Sequence, residues 1–297
     1  MTPEEKWALS DAYIAKVLNP GERVMVVAIR QFFTLQHARN LALVKSKLSG
    51  GARVMPQSLL LDRHSENLAL QTMMVRHYKK QAGRAAKLAL AQINAVRKVK
   101  AIIKADDDYL PATVDLYTKA DIKRIIAKRL LDISAVNNTT FKGVETELAA
   151  IITQATEDEL STRDLMRNIE TGLARVYGGR KANAMRIART ETGTITSQVQ
   201  YAIGRRVGGV KKGWLSTRDE HVRTTHEACD AEGFIAYDTN FVNDLRFPLD
   251  PNGAAKEVIN CRCALIFSAV KEDEKGITDA AWSIAFKELK GHHAIAA

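Results

Sequence analysis

The 297-residue sequence has few cysteines, few aromatic residues and no apolar run long enough to cross a bilayer. Three cysteines, all between positions 229 and 263, are too few for a disulfide framework and indicate synthesis in a reducing compartment. Aromatic residues make up 6% of the chain, which argues against an array of base-stacking platforms for single-stranded nucleic acid. Because no apolar run approaches the roughly 20 residues of a membrane helix, and the start is not that of a secretory signal, we expect a soluble protein made in a cytoplasm, with no membrane partner.

The stretch from Arg76 to Lys104 lacks acidic residues altogether, although the chain carries a net charge of +10. Alanine and leucine dominate between its basic residues and predict a helix, on one face of which cations recur at helical spacing. Such a face favours DNA phosphates or an acidic protein surface as its partner, and a solvated helix face is the plainer alternative. The candidate contact residues are Arg76, Lys80, Arg84, Lys87, Arg97 and Lys98.

The periodicity of apolar residues predicts a mainly α protein, with long helices in the N-terminal part and a small α+β module near the C-terminus. Asn19-Pro20-Gly21 is expected to stop the first helix, and glycine pairs are expected to end two later ones. The helices expected in the second half are Lys119–Ile133, Val144–Gln154, Ser161–Tyr177, ended by Gly178-Gly179, and Arg180–Val207, ended by Gly208-Gly209. The short β-like segments are Val210–Ser216, Phe234–Tyr237 and Cys263–Ala269.

Composition divides the chain into four segments. Residues 1–104 form a basic helical N-terminal region, and residues 105–179 form a helical connecting region. Residues 180–270 form the α+β module, and residues 271–297 form a C-terminal helix and tail. The first boundary is placed in the acidic, proline-marked stretch Ala105–Pro111.

One histidine and all three cysteines in the module have the character of a metal site. His226 and Cys229 are three residues apart, and Cys261 and Cys263 are two apart. Thiolates with an imidazole suit a structural zinc ion, although Cys-x-Cys is tighter than the usual spacing. The alternative is that the cysteines are small buried hydrophobes and that His226 hydrogen-bonds a loop.

A Cys–His nucleophile pair is a further alternative for the same residues. The sequence offers no catalytic signature for it, no phosphate-binding glycine loop and no Gly-x-Gly-x-x-Gly after a strand. Asp219 and Glu220 are interpreted as surface or turn groups. We therefore expect a protein that is not an enzyme, with zinc as its one candidate cofactor.

An ordered set of short motifs in the module resembles the phage head morphogenesis family, the minor head proteins typified by the F protein of phage Mu. The resemblance covers about residues 160 to 268. Its pieces are Arg186–Thr192, Gly209–Trp214, Thr217–Asp219, Val222-Arg223, His226, Gly233, Phe241, Pro248–Pro251 and Ile259–Cys263. Cys229 stands where the family more often has an apolar residue, and Gly233 follows His226 by seven residues where the family has about five.

The resemblance implies a minor capsid protein of a tailed phage or prophage, acting in head morphogenesis at the portal. It implies location in the virion, at the head interior or portal vertex, entry into the procapsid, the portal and other head proteins as partners, and non-specific contact with duplex DNA. It also implies a structural network of Arg189, Glu191, Trp214, Asp219, Arg223 and Asn260, beside His226, Cys261 and Cys263. The alternatives are a metal- or Cys/His-dependent hydrolase or nuclease delivered with the phage DNA, and a plain helical adaptor.

Overall fold

The computed structural model of the protein describes residues 8, 10–49, 55–96, 116–208 and 210–269. Three sequence-based expectations lie outside these residues. They are the contacts of Arg97 and Lys98, the boundary at Ala105–Pro111, and the helix and tail of residues 271–297.

Long helices make up most of the described chain, as the sequence predicted, and a small sheet lies near the C-terminus. The long helices are α1 (Asn19–Ser49), α2 (Arg63–Val96), α3 (Leu116–Glu157), α4 (Thr162–Ala182) and α5 (Ala184–Val207). The short elements are a π-helical segment (Ile14–Leu18), a 3₁₀ turn (Pro56–Leu59), and the helices α6 (Thr224–Ala231) and α7 (Ala255–Val258). Among the described helices, none is both long enough and apolar enough to span a membrane.

The strands β1 (Val210–Leu215), β2 (Phe234–Ile235) and β3 (Ala264–Ala269) form an antiparallel sheet in the order β2-β1-β3. Gly208, with a φ of +64°, ends α5 in the left-handed conformation that glycine adopts without strain, and β1 follows. Gly213 lies opposite both Phe234 and Ile266. A Cβ at Gly213 would lie 2.8 Å from the Phe234 ring, so the close approach of these strands requires glycine.

Several helices continue past the breaks that the sequence predicted. The two helices expected over Lys119–Ile133 and Val144–Gln154 are one, because Asn137, in the polar stretch between them, is buried and hydrogen-bonded to Gln36 and Asn67. Burial with partners outweighs the modest helix penalty of asparagine.

Two further predicted stops are wrong. Helix α4 passes through Gly178-Gly179 to Ala182, although its start agrees with the prediction, with Ser161 accepting a hydrogen bond from the Asp164 N–H. Asn19-Pro20-Gly21 does not stop a helix, because the π-helical segment Ile14–Leu18 runs directly into α1 and the backbone of Asn19 is itself helical.

The chain folds into two compact units, each built from separated stretches. The first contains the described residues of 1–23, 77–127 and 186–297, and the second those of 24–76 and 128–185. The four segments expected from the sequence are contiguous, and their limits at residues 104, 179 and 270 stay a prediction.

In the second unit, a buried carboxylate organises the contacts between helices. Glu66 of α2 accepts hydrogen bonds from Arg39 at 2.8 and 2.5 Å and from Gln36 at 3.2 Å, both on α1. Tyr177 of α4 donates to the Asn40 side chain of α1 at 3.1 Å. Each buried polar group thus has a partner on another helix, which selects one mutual arrangement.

In the first unit, the start of the acid-free stretch packs against α5. The Tyr78 hydroxyl donates to Glu191 at 2.6 Å, and the Gln81 amide donates to Thr196 at 2.8 Å. The sequence assigns this stretch to the basic N-terminal region, and in the structure it contacts α5, the helix that leads into the sheet. One side of α2 from Tyr78 onward is core of the same unit, because its alanines are small enough to let α5 approach closely.

The difference between charged and neutral acceptors of tyrosine hydroxyls is testable. Tyr78→Phe removes a hydrogen bond to a buried carboxylate and is expected to lower the free energy of unfolding by about 2 kcal/mol. Tyr177→Phe is the matched control, because it removes a bond to a neutral amide and should cost about 1 kcal/mol. Urea unfolding measures both, and an equal or smaller loss for Tyr78→Phe would contradict the assignment of a charged acceptor.

Candidate metal centre

Three side chains from separate parts of the C-terminal module converge at one buried point. Nδ1 of His226, on α6, lies 3.6 Å from the Cys261 sulfur and 3.4 Å from the Cys263 sulfur. All three ligand atoms lie within 4.8 Å of one another, and all three residues are buried. One imidazole and two sulfurs form a donor set that zinc takes with a fourth, non-protein ligand, whereas structural zinc sites are closed by four protein ligands.

A turn just before Cys261 leads into the segment that carries both sulfurs, which lie on the same side of the chain because the two residues are two apart. Asn260 has a φ of +65°, a left-handed conformation that asparagine adopts more readily than most residues. The turn is held from α5, since Arg189 donates to the Asn260 side chain at 2.8 Å and the Asn260 N–H donates to Thr190 at 3.0 Å. The Cys263 N–H then donates to the Cys261 sulfur at 3.4 Å.

Cys229 lies outside the group that converges. It is fully buried among Trp214, Phe241 and Leu245, and its sulfur accepts a hydrogen bond from the backbone N–H of Asn243. Burial raises the pKa of the Cys229 thiol to about 11, so this side chain is a neutral, apolar group at physiological pH. Of the four candidate ligands, the structure brings together His226, Cys261 and Cys263.

The two converging thiols differ in acidity although both are buried. Burial raises the pKa of Cys263 well above the ordinary thiol value. Burial acts in the same direction on Cys261, but the hydrogen bonds donated by Cys263, with nearby Arg223 and Arg262, lower the pKa of Cys261 overall. Cys261 is the thiol that gives up its proton first.

A small cavity of about 60 Å³ borders the cluster on the side of the positive charges. Arg189, Arg223 and Arg262 all line it, together with the three converging residues. Arg223 donates to the Ile259 carbonyl at 2.7 Å, and Arg262 pairs with Asp219. These contacts fix the guanidinium groups around the cavity.

The other residues of the expected network have separate tasks. Trp214 of β1 packs edge-on against both His226 and Phe241, with ring centroids 4.9 and 5.3 Å away. Glu191 accepts the Tyr78 hydroxyl, as described above. Arg189 also lies 3.6 Å from buried Glu22, whose pKa is raised by burial and lowered in part by this arginine.

Sequence reasoning missed two charged residues near the centre. Glu257, on α7, places a carboxylate oxygen 3.2 Å from Nε2 of His226 and accepts the Thr225 hydroxyl at 2.8 Å. A four-residue helix has no periodicity that would have indicated Glu257. Lys212 is fully buried on β1.

Lys212 is surrounded by the rings of Tyr201, Tyr237 and Phe241, 5.3 to 5.7 Å from its ammonium group. The ammonium donates to the Arg246 carbonyl at 2.8 Å. Lys212 thus connects β1 to the loop that carries Phe241, which packs on Trp214. An interior cation on β1 is not distinguishable in the sequence from its neighbour Lys211.

Residues 146–266 match the family described as "Phage Mu protein F like protein". This segment contains every residue of the cluster, the turn at Asn260 and the arginines of the cavity. Residues 146–266 are similar to this family and are called the Mu F-like region below. The match confirms the resemblance noted in the sequence and supports a protein of phage head morphogenesis.

Part of the chain is also similar to a curated protein. The chain is 38% identical over 89 residues to the NAD(+)–arginine ADP-ribosyltransferase EFV of Enterococcus faecalis (strain ATCC 700802 / V583). The alignment covers 28% of this chain and 18% of that protein. No solved structure matches the chain.

The pKa of Lys212 gives the Mu F-like region a testable pH dependence. This pKa is lowered to about 8, mainly by burial. Arg246 acts in the same direction, and Asp238 and Asp250 act against it. The unfolded chain holds the proton up to about pH 10.5, whereas the native protein releases it near pH 8. The free energy of unfolding therefore gains about 3 kcal/mol from this group as pH rises between these values.

Lys212→Met is expected to remove this gain, because methionine fills a similar volume and does not titrate. Urea unfolding of the wild type and the variant at several pH values measures the difference between them. Lys211→Met, a change in the half-buried neighbouring lysine, should keep the wild-type pH dependence. Parallel pH profiles for the wild type and Lys212→Met would contradict the lowered pKa.

Proposed function

We propose that this protein is a non-enzymatic minor head protein of a tailed phage or prophage, which acts in head morphogenesis at the portal. The observation that carries the proposal is the Mu F-like match over residues 146–266. Similarity to this family supports the proposal that other head proteins are the partners and that the virion is the location. The portal as the specific partner is part of the proposal.

The cavity that borders the three converging residues has a volume of about 60 Å³, with room for a few water molecules, whereas a pocket of about 560 Å³ is lined in part by Thr225 and Glu257. The alternative of a hydrolase or nuclease needs room for a substrate at His226, Cys261 and Cys263. The ADP-ribosyltransferase alignment covers 18% of that enzyme, so its activity is not carried over to this chain.

The exposed part of the acid-free stretch supports contact with a polyanion. Arg76 and Lys80 are exposed on α2, and Arg84 and Lys87 are half-buried. Burial lowers the pKa of Arg84, which keeps its charge all the same because the ordinary value is so high. We place non-specific contact with duplex DNA at this face, and an acidic face of the portal is the competing occupant.

Portal association is tested by pull-down with the portal protein encoded in the same genome. The full chain is expected to retain the portal protein at low and at moderate salt. An unrelated phage's portal protein is the control for non-specific capture. Failure to retain the cognate portal protein would overturn the portal part of the proposal.

DNA contact is tested by the salt dependence of binding to a duplex of arbitrary sequence. Each phosphate contact contributes about 0.9 to the slope of log K against log salt concentration, so Lys80→Gln with Lys87→Gln should reduce the slope by about 2. The matched control removes the same charge from exposed Lys128 and Lys142 of α3. An unchanged slope in the first variant, or an equal reduction in the control, would contradict a DNA contact at this face.

A further inference from the structure

We propose that His226, Cys261 and Cys263 bind one zinc ion, whose fourth ligand is a water molecule or a small anion in the arginine-lined cavity. The site is defined by the geometry of the first unit and does not depend on the protein's role in the phage head.

The two nitrogen–sulfur distances fit a tetrahedral zinc ion. With Zn–S near 2.3 Å and Zn–N near 2.05 Å, the nitrogen and sulfur ligands of a tetrahedron lie about 3.6 Å apart. Nδ1 of His226 lies 3.6 and 3.4 Å from the sulfurs of Cys261 and Cys263. An ion therefore fits among these atoms with little movement of the side chains.

The charge of the site also balances. Two thiolates neutralise a divalent cation, so the buried cluster carries no net charge once zinc replaces the thiol protons. When Nδ1 of His226 binds the ion, the proton of the neutral ring is on Nε2. That atom faces the Glu257 carboxylate at 3.2 Å, the arrangement by which carboxylates orient metal-bound histidines.

The fourth position faces the cavity. Among the described residues, no fourth His, Cys, Asp or Glu places a ligand atom in the converging group, and the Cys229 sulfur is occupied by the Asn243 N–H. The cavity of about 60 Å³ borders the three ligands, and its arginines favour an anionic occupant. Water, hydroxide or a small anion matches both the volume and the charge.

Bound zinc would join two parts of the module that are far apart in sequence. His226 lies on α6, and the cysteines lie directly before β3. The ion would cross-link this helix to the strand that pairs with β1 over its whole length. Its removal is thus expected to lower the stability of the module.

Metal content of the purified full-length protein tests the proposal directly. Protein produced with added Zn²⁺ and dialysed against metal-free buffer is expected to retain one equivalent, measured by mass spectrometry of the metal. Cys261→Ser and Cys263→Ser should each lose it. Cys229→Ser is the matched control, because it changes a cysteine of the same buried cluster outside the converging group and should retain one equivalent.

The contribution of Glu257 is tested by the affinity of the site for Zn²⁺. Glu257→Gln keeps the ligands and removes the charge that orients His226, so the affinity for Zn²⁺ should fall about 10- to 100-fold in a chelator competition. Glu227→Gln, an exposed change on α6, should leave the affinity unchanged. Equal affinities for both variants would remove Glu257 from the site.

The fourth position is tested with Co²⁺ in place of zinc. A cobalt site with two thiolates should show sulfur-to-metal charge-transfer absorption, and added azide should shift the cobalt bands if a solvent ligand is exchangeable. A spectrum insensitive to azide would overturn the open fourth position. The three-residue site would be overturned if the folded wild type held only trace metal. It would also be overturned if the single variant Cys229→Ser lost zinc as Cys261→Ser does.

Discussion

The left-handed turn at Asn260 is the constraint on which the C-terminal module depends. Side chains two residues apart in an extended chain point to the same side, and the turn at Asn260 leads into the segment in which both sulfurs lie beside His226. Asn260 is held by Arg189 and Thr190 of α5, so the preceding helix determines the geometry of the cluster. The Asn-Cys-Arg-Cys motif of the Mu F-like region thus has one physical meaning: a turn residue, two ligands, and an arginine that pairs with Asp219.

The same helix carries the contacts that extend the module into the rest of its unit. Glu191, which follows Thr190 directly, accepts the Tyr78 hydroxyl, and Thr196 accepts the Gln81 amide. The basic face of α2 is therefore the outer side of a helix whose inner side is core. A polyanion bound at Lys80 would therefore contact a helix that is packed on α5.

The sequence predicted the strands within a residue or two, because Gly208 and the change from helical to alternating patterns mark them locally. It misplaced helix breaks at Asn137 and at Gly178-Gly179, since buried hydrogen bonds and helix packing outweigh local propensity. In the site, spacing identified His226, Cys261 and Cys263 as candidates but could not exclude Cys229 or find Glu257. Those outcomes depend on where the turn at Asn260 and the short helix α7 direct their side chains.

The tight Cys-x-Cys spacing and the small cavity have a common consequence. Two sulfurs only two residues apart occupy one side of the cluster, and His226 closes a second side, with Trp214 packed against its ring. The remaining side faces guanidinium groups that are themselves engaged by Asp219, Asn260 and the Ile259 carbonyl. These contacts hold the walls of the cavity in place. Enlarging the cavity would require breaking them, among them the contacts that hold the turn at Asn260. The geometry that brings the ligands together is thus also the geometry that keeps the cavity beside them small.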